Sequence, residues 1–175
     1  LVCKLVCQPS RERLAPVSLS VWSEQQQVLQ SREAWESVKD WIDRVNPRLS
    51  FEVADRYVMA RSVSDAQVEA ALAGRAAIAA RMDEVFADNG TIVCLPTTVA
   101  PAPPVGQKVS ERHALRLRNS ALTSIAGNTG RPQISLPVAE VRGLPVGLSL
   151  LGNRGGDEML IMLARDIAAA LFQGP

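Results

Sequence analysis

Apolar residues recur at three- and four-residue steps along much of the chain and collect into short unbroken runs elsewhere. Val28, Trp35, Val38, Trp41, Ile42 and Val45 form one such stripe, the pattern of a helix with one apolar face. Ser23, with Gln26 three residues on, has the form of a capping box at its start, and Asn46-Pro47 stops it near Val45. Before it, Pro9 and Pro16 prevent a helix, and Val17 to Val21 reads as a short strand. A second helical stretch runs from about Val53 to Phe86, broken at Ser62 to Ser64, with Ala-rich sequence from Ala66 to Ala80. Ile78, Met82, Val85 and Phe86 give its apolar face, and Asp88-Asn89-Gly90 closes it as a C-cap.

The pattern then changes. Thr91 to Leu95 is a short, β-branched apolar run and reads as a buried strand. Pro96 to Gly106, with Pro101, Pro103 and Pro104, leaves it as an extended loop long enough to wall a site. His113 to Gly127 predicts a helix with Leu115, Leu122, Ile125 and Ala126 inward. Gln133 to Val138 and Pro145 to Gly152 read as strands joined through Glu140-Val141-Arg142-Gly143 into a hairpin. Asp157 is expected to cap a last helix through Leu171, with Leu160, Leu163, Ala164 and Ile167 on one face. The expected fold class is α/β, as one partial domain over residues 1–175. Residues 1–20 are unplaced, 23–90 helical, and 91–175 strand, Pro-rich loop, helix, hairpin and helix.

Composition adds little to this frame. The 175 residues are 47% hydrophobic and 21% charged with a formal net charge of +1, ordinary for a globular domain. Without a basic run, nothing calls for nucleic acid or an anionic membrane. No apolar run reaches the roughly 18–20 residues that span a bilayer. Cys3, Cys7 and Cys94 are too sparse for a disulfide framework, which points to a reducing, cytoplasmic compartment. Cys3 and Cys7 have a spacing that can hold a metal on a helix, but with one His in the chain packing is the preferred reading, and no metal or cofactor is expected.

Candidate chemistry is thin. His113 is the single imidazole and sits in a polar segment, so it reads as a surface His. No Gly-x-Ser-x-Gly elbow and no phosphate-cradling glycine spacing occurs. Asp83-Glu84 and Asp157-Glu158 are adjacent pairs, which a helix points to different sides, so neither is an acid/base dyad. Trp35 and Trp41 read as core.

The stretch from Asn119 to Glu158 nevertheless resembles the C-terminal part of the amidase-signature family. That family carries N-x-x-G-x-P-x-x-S-x-P, then G-L-P-x-G-x-x-x-x-G, then D-E before a final helix. Here the run is Gly130, Pro132, Ser135, Pro137, Gly143-Leu144-Pro145, Gly147, Gly152 and Asp157-Glu158. At the place of the motif's Asn stands Gly127, with Asn128 next to it. Leu95-Pro96-Thr97-Thr98 with Pro101-Ala102-Pro103, and Arg75 to Asp83, are similar as well. The resemblance implies the C-terminal part of an α/β fold with a mixed central sheet flanked by helices. It also implies hydrolysis of a small carboxamide by Ser attack, relayed through a second Ser in a cis peptide to a Lys base. This chain has no Ser-Ser pair, and Lys4, Lys39 and Lys108 stand outside the family's context, so no catalytic residue transfers. Thr97, Thr98, Asn119, Ser120 and Arg75 transfer as candidate substrate-binding residues. Arg75 matches an Arg that contacts the substrate carboxylate in glutamine-using amidotransferase A subunits. Ser120 falls where those subunits carry Asp, which disfavours glutamine as substrate. The expected partners are a small-molecule amide, a catalytic portion N-terminal to this chain, and a possible second copy. The alternative readings are a truncated, non-catalytic structural or binding module and, less favoured, an amidotransferase A subunit.

Overall fold

A computed structural model describes residues 9–172; Cys3 and Cys7 lie outside the described residues. The chain opens its regular structure with α1 (Leu19–Val45), followed by α2 (Phe51–Arg61) and α3 (Asp65–Val85). The expected strand over Val17 to Val21 is instead the start of α1. The Ser18 side chain accepts the Ser20 N–H at 3.2 Å, and this local capture of a first-turn donor outweighs the β preference of two valines. Ser23 is therefore not the cap; it lies one turn inside the helix and donates to the Ser20 carbonyl at 2.9 Å. The capping box occurs at Ser64, whose hydroxyl accepts the Gln67 N–H while the Gln67 side chain accepts the Ser64 N–H.

With 27 residues at about 1.5 Å each, α1 is roughly 40 Å long. Its N-terminal part, through Trp22 and Leu29, faces the core. Its C-terminal part overhangs, so the expected stripe is only partly buried: Trp41 is 44% exposed and Val45 50%. Trp35 is half-buried rather than core, with the Arg61 guanidinium 5.9 Å from its ring centroid. Arg32 fastens α1 to the break between α2 and α3, donating to the Val63 carbonyl at 2.6 Å and pairing with Asp65.

The helix α3 ends at Val85 rather than at a glycine cap; Phe86 closes it, and Asp88 makes a turn by accepting the Gly90 N–H at 3.0 Å. The strand β1 (Val93–Pro96) starts two residues later than expected. The next helix, α4 (Val109–Thr129), starts four residues earlier than His113. Strands β2 (Gln133–Val141) and β3 (Leu144–Leu151) form the expected hairpin, and α5 (Asp157–Phe172) packs behind them with Asp157 as its first helical residue rather than its cap. The hairpin turn is the two residues Arg142 (φ 54°) and Gly143 (φ 77°), the left-handed pair that matches strand twist and that favours Gly. Pro137 does not end β2; the ladder shifts register between Leu136 and Ala139 instead, because proline has no N–H to give.

The sheet order is β1-β3-β2, antiparallel throughout. Alternation along β3 sends Leu151 to one face and Leu150 to the other. Leu151 joins Trp22, Ile78, Met82, Phe86, Leu95 and Ile125 under the α1, α3 and α4 layer. Leu150 joins Leu136, Leu160, Ala164 and Ile167 under α5.

Where the layers meet, Arg131 leaves α4 for β2 with its side chain 2% exposed. Its guanidinium lies 4.3 Å from the centroid of the Phe86 ring, donates to Asp83 at 2.6 Å, and donates to the side-chain Oδ1 of Asn153. Burial pushes the guanidinium below its ordinary value, with the Arg154 cation adding to the shift and Asp83 opposing it. An uncompensated buried charge costs more than its replacement by an apolar side chain. Asp83→Ala is therefore expected to destabilise the fold by about 2–3 kcal/mol, and Arg131→Met by less than about 1.5 kcal/mol. Denaturant midpoints of the two variants check that order.

Candidate functional site

The end of β1 points into a polar patch on the sheet face otherwise lined by Leu95 and Leu151. The Thr97 hydroxyl lies 2.7 Å from the Ser135 hydroxyl and 2.9 Å from that of Ser149. Gln133 Nε2 donates to Ser149 Oγ at 2.8 Å. Ser149 is fully buried and accepts from Gln133, while in the two hydroxyl pairs either oxygen can be the donor. Three strands are joined by this chain of hydroxyls, and the Thr97 N–H adds a bond to the Gly147 carbonyl at 2.9 Å. A Cβ at Gly147 would stand 2.6 Å from both the Thr97 and Ser135 hydroxyls, so the hydroxyl chain requires glycine there.

Beyond Thr97 the Pro-rich loop is drawn onto α4. Asn119 Oδ1 accepts the Val99 N–H at 3.0 Å, and Thr98 Oγ1 turns back to the Ala100 carbonyl at 2.8 Å. Of the residues expected from the sequence, Thr97, Thr98 and Asn119 thus converge at one place, the exit of β1. Ser120, one residue on, turns to a different surface, a cleft between α1 and α4 that it shares with Gln26 and Gln30. Arg75 is half-buried on α3, in helical phase with Ala71, Ile78 and Met82, and makes no hydrogen bond or ion pair with any described residue. Ser135 and Gly147 enter the sequence reading only as motif positions and Ser149 not at all; that all three hydrogen-bond to Thr97 required the register of three strands.

The place of the motif's Asn has its own geometry. A Cβ at Gly127 would lie 2.0 Å from Gln26 Nε2, so the Gln26 carboxamide from α1 occupies the space a larger residue would fill. Asn128, the next residue, is buried and donates to the Trp22 carbonyl at 2.8 Å, tying α4 to the first turn of α1. His113 is exposed, 3.2 Å from an Arg116 nitrogen, as a surface His. Asp83 and Glu84 diverge as their spacing requires, Asp83 to Arg131 and Glu84 to Arg81. Among the described residues no group of His, Cys, Asp and Glu has the geometry to hold a metal ion, and no helix is long and apolar enough to cross a membrane.

Thr97→Val keeps the side-chain shape and deletes both hydroxyl bonds, so it is expected to cost about 1–2 kcal/mol. Gly147→Ala is expected to cost about 1–3 kcal/mol by overpacking and to displace the β1 exit. Thermal unfolding with near-ultraviolet circular dichroism checks both.

Comparison with known proteins agrees with this architecture. The chain matches the family described as Amidase over residues 4–161. It is 30% identical to Amidase 1 of Oryza sativa subsp. japonica over 171 residues, covering 97% of this chain and 39% of that protein. It is 29% identical to the translocon at the outer membrane of chloroplasts 64 of Pisum sativum, covering 88% of this chain and 26% of that one. Among solved structures, an amidase crystal structure superposes with a TM-score of 0.72 at 27% identity over 87% of this chain and 36% of that chain. The chain therefore spans little more than a third of the length of the amidases it matches and corresponds to their C-terminal part. Read together, the hairpin with its hydroxyl chain, the Pro-Thr exit of β1 and these matches place the chain in the amidase family.

Proposed function

We propose that this chain forms the C-terminal wall of an enzyme that hydrolyses a small carboxamide to a carboxylate and ammonia. The Ser, cis-Ser and Lys of that chemistry are supplied by a portion outside these 175 residues. The observation that carries this reading is the convergence of Thr97, Thr98 and Asn119 at the exit of β1 in a chain of the amidase family. Their role is to shape and line the amide pocket. Asn119 holds the loop, Thr97 fixes its root, and Thr98 sets its first turn. Arg75 contributes from α3, whereas Ser120, carried over with them by the resemblance, faces the cleft between α1 and α4 instead. Arg75 supports this by being a half-buried cation with no acidic partner among the described residues, a group available to a ligand oxygen. The sparse cysteines support a reducing, cytoplasmic location.

A second reading is a non-catalytic structural or binding module. It is favoured by the absence of any Ser-Ser pair in this sequence and by similarity to a translocon component. An amidotransferase A subunit is disfavoured because Ser120 stands where such subunits carry Asp.

On either reading the chain has surfaces that want cover. β1 and β2 are the outer strands of the sheet among the described residues, and α5 exposes Met159, Ile161 and Met162 on the side away from its buried face. Isolated outer strands and apolar faces of this kind drive association. The 175-residue chain by itself is expected to sediment as a dimer or larger; a cooperative monomer in sedimentation equilibrium would count against a missing catalytic portion.

The enzymatic test is ammonia release from a panel of small carboxamides by the natural polypeptide, with its intact mass measured alongside. Expected is a mass above 18.9 kDa with hydrolysis, and a loss of about tenfold in kcat/KM on Asn119→Ala. A mass of 18.9 kDa without ammonia release would establish the second reading.

A further inference from the structure

We propose that Asn89 is a self-modification site: the turn that holds it converts its side-chain carboxamide to a carboxylate, which the Arg131 junction then takes up. Asn89-Gly90 is the one Asn-Gly pair in the sequence. Both residues are exposed and outside helix and strand. They are the central pair of a turn closed by the Thr91 N–H on the Asp88 carbonyl at 3.0 Å.

The reaction needs only water. The Gly90 backbone nitrogen attacks Asn89 Cγ and passes its proton to the Asp88 carboxylate. The Cγ–Nδ2 bond breaks, and Nδ2 takes that proton and leaves as ammonia, which closes a five-membered imide. Water then adds to one of the two imide carbonyls and opens the ring to aspartate or isoaspartate. Nucleophile and electrophile are neighbours in one chain, so the turn sets their orientation.

Two contacts serve the attack. Asp88 Oδ1 accepts the Gly90 N–H at 3.0 Å, so a carboxylate sits on the proton that the nucleophile must lose. On the other side, Asn153 Oδ1 accepts from Arg131 and from the Arg154 N–H, which turns Asn153 Nδ2 to Asn89 Oδ1 at 2.9 Å. A donor in that place stabilises the charge that develops on the carbonyl oxygen. Asn119-Ser120 has neither contact: it lies within α4, and its Oδ1 accepts the Val99 N–H.

The product also has a place in the structure. Arg131 and Arg154 share one carboxylate, Asp83, at 2.6 and 3.3 Å, and no second acidic group pairs with either among the described residues. The Asn153 side chain stands between Asn89 and Arg131. A carboxylate at 89 keeps the bond from Asn153 Nδ2, now charge-assisted, and brings a second anion within one side chain of the two cations. The step releases one ammonia per chain and stops, so it is independent of the hydrolase reading.

The test is peptide mapping of the 175-residue chain after incubation at neutral pH in water enriched in heavy oxygen, which marks carboxylates formed during the incubation. Label is expected in the tryptic peptide Met82–Lys108 and not at Asn119-Ser120. It is expected to enter at least about tenfold faster in the folded chain than in the same chain in denaturant. Asp88→Asn keeps an acceptor for the Gly90 N–H but removes the base, and is expected to bring the folded rate down to that in denaturant. Gly90→Ala, whose Cβ would meet only the Asp88 carboxylate at 3.5 Å, crowds the nucleophile and is expected to slow conversion about tenfold. Asn89→Asp, the product made directly, is expected to raise the thermal midpoint by about 1–3 °C. Circular dichroism confirms that each variant is folded. Conversion no faster in the folded chain than in denaturant, or undiminished in folded Asp88→Asn, overturns the assisted reaction. An unchanged or lowered midpoint in Asn89→Asp overturns the uptake of the product by the Arg131 junction.

Discussion

The guanidinium of Arg131 is the interaction on which the rest of the structure depends. It is buried at the junction of α3, α4, β2 and the segment after β3, and it gathers Asp83, Phe86 and Asn153 around one cation. A charge in that position persists only with its partners in place. Arg154 reinforces the arrangement by reaching Asp83 at 3.3 Å and the Thr129 carbonyl at 2.9 Å. Asn153 extends it to Asn89 at 2.9 Å. The relative placement of the helical layer and the hairpin is thereby set by polar geometry, while the apolar faces supply cohesion without direction.

Within the sheet, polarity does a different task. The bonds among Gln133, Ser149, Thr97 and Ser135 cross three strands, and the missing Cβ of Gly147 makes room for them. Their effect is to fix where the chain leaves β1. From there Asn119 takes up the loop through the Val99 N–H, so the Pro-rich segment begins from a rigid root on two elements. Sites built on strands and helices hold their geometry better than sites on loops alone. The root of the loop is thus held by bonds between residues of this chain.

Much of this was legible along the chain. Helical periodicity located the long helices, the break at Ser62 to Ser64 and the buried face of α5, because a 3.6-residue repeat survives whatever the helix packs against. The hairpin was legible, with its turn read over Glu140 to Gly143; pairing of Val141 with Leu144 narrows it to Arg142-Gly143, where a two-residue turn needs left-handed backbone. The motif from Gly130 to Glu158 carried the family, and the similarity upstream of it named Thr97, Thr98 and Asn119, which the structure brings to the exit of β1. Element ends were less legible. Ser18 and Ser23 both carry a capping hydroxyl, and the choice between them depends on where Trp22 finds the core. The first hairpin strand reads as ending at Val138, yet β2 runs to Val141 and absorbs Pro137 as a register shift because it is an outer strand among the described residues.

What the sequence by itself determined is therefore the type and order of elements and the family, since these rest on local periodicity, backbone chemistry and a contiguous motif. What only the tertiary structure decided is which distant residues share a site. Thr97 and Ser149 are 52 residues apart and Gln26 and Gly127 are farther still. Nothing in their spacing reports the contact, because strand register and helix crossing bring them together, and both are set by packing rather than by sequence position. The same holds for Ser120, adjacent to Asn119 in sequence and yet turned to another cleft, since one step along a helix rotates a side chain by about 100°.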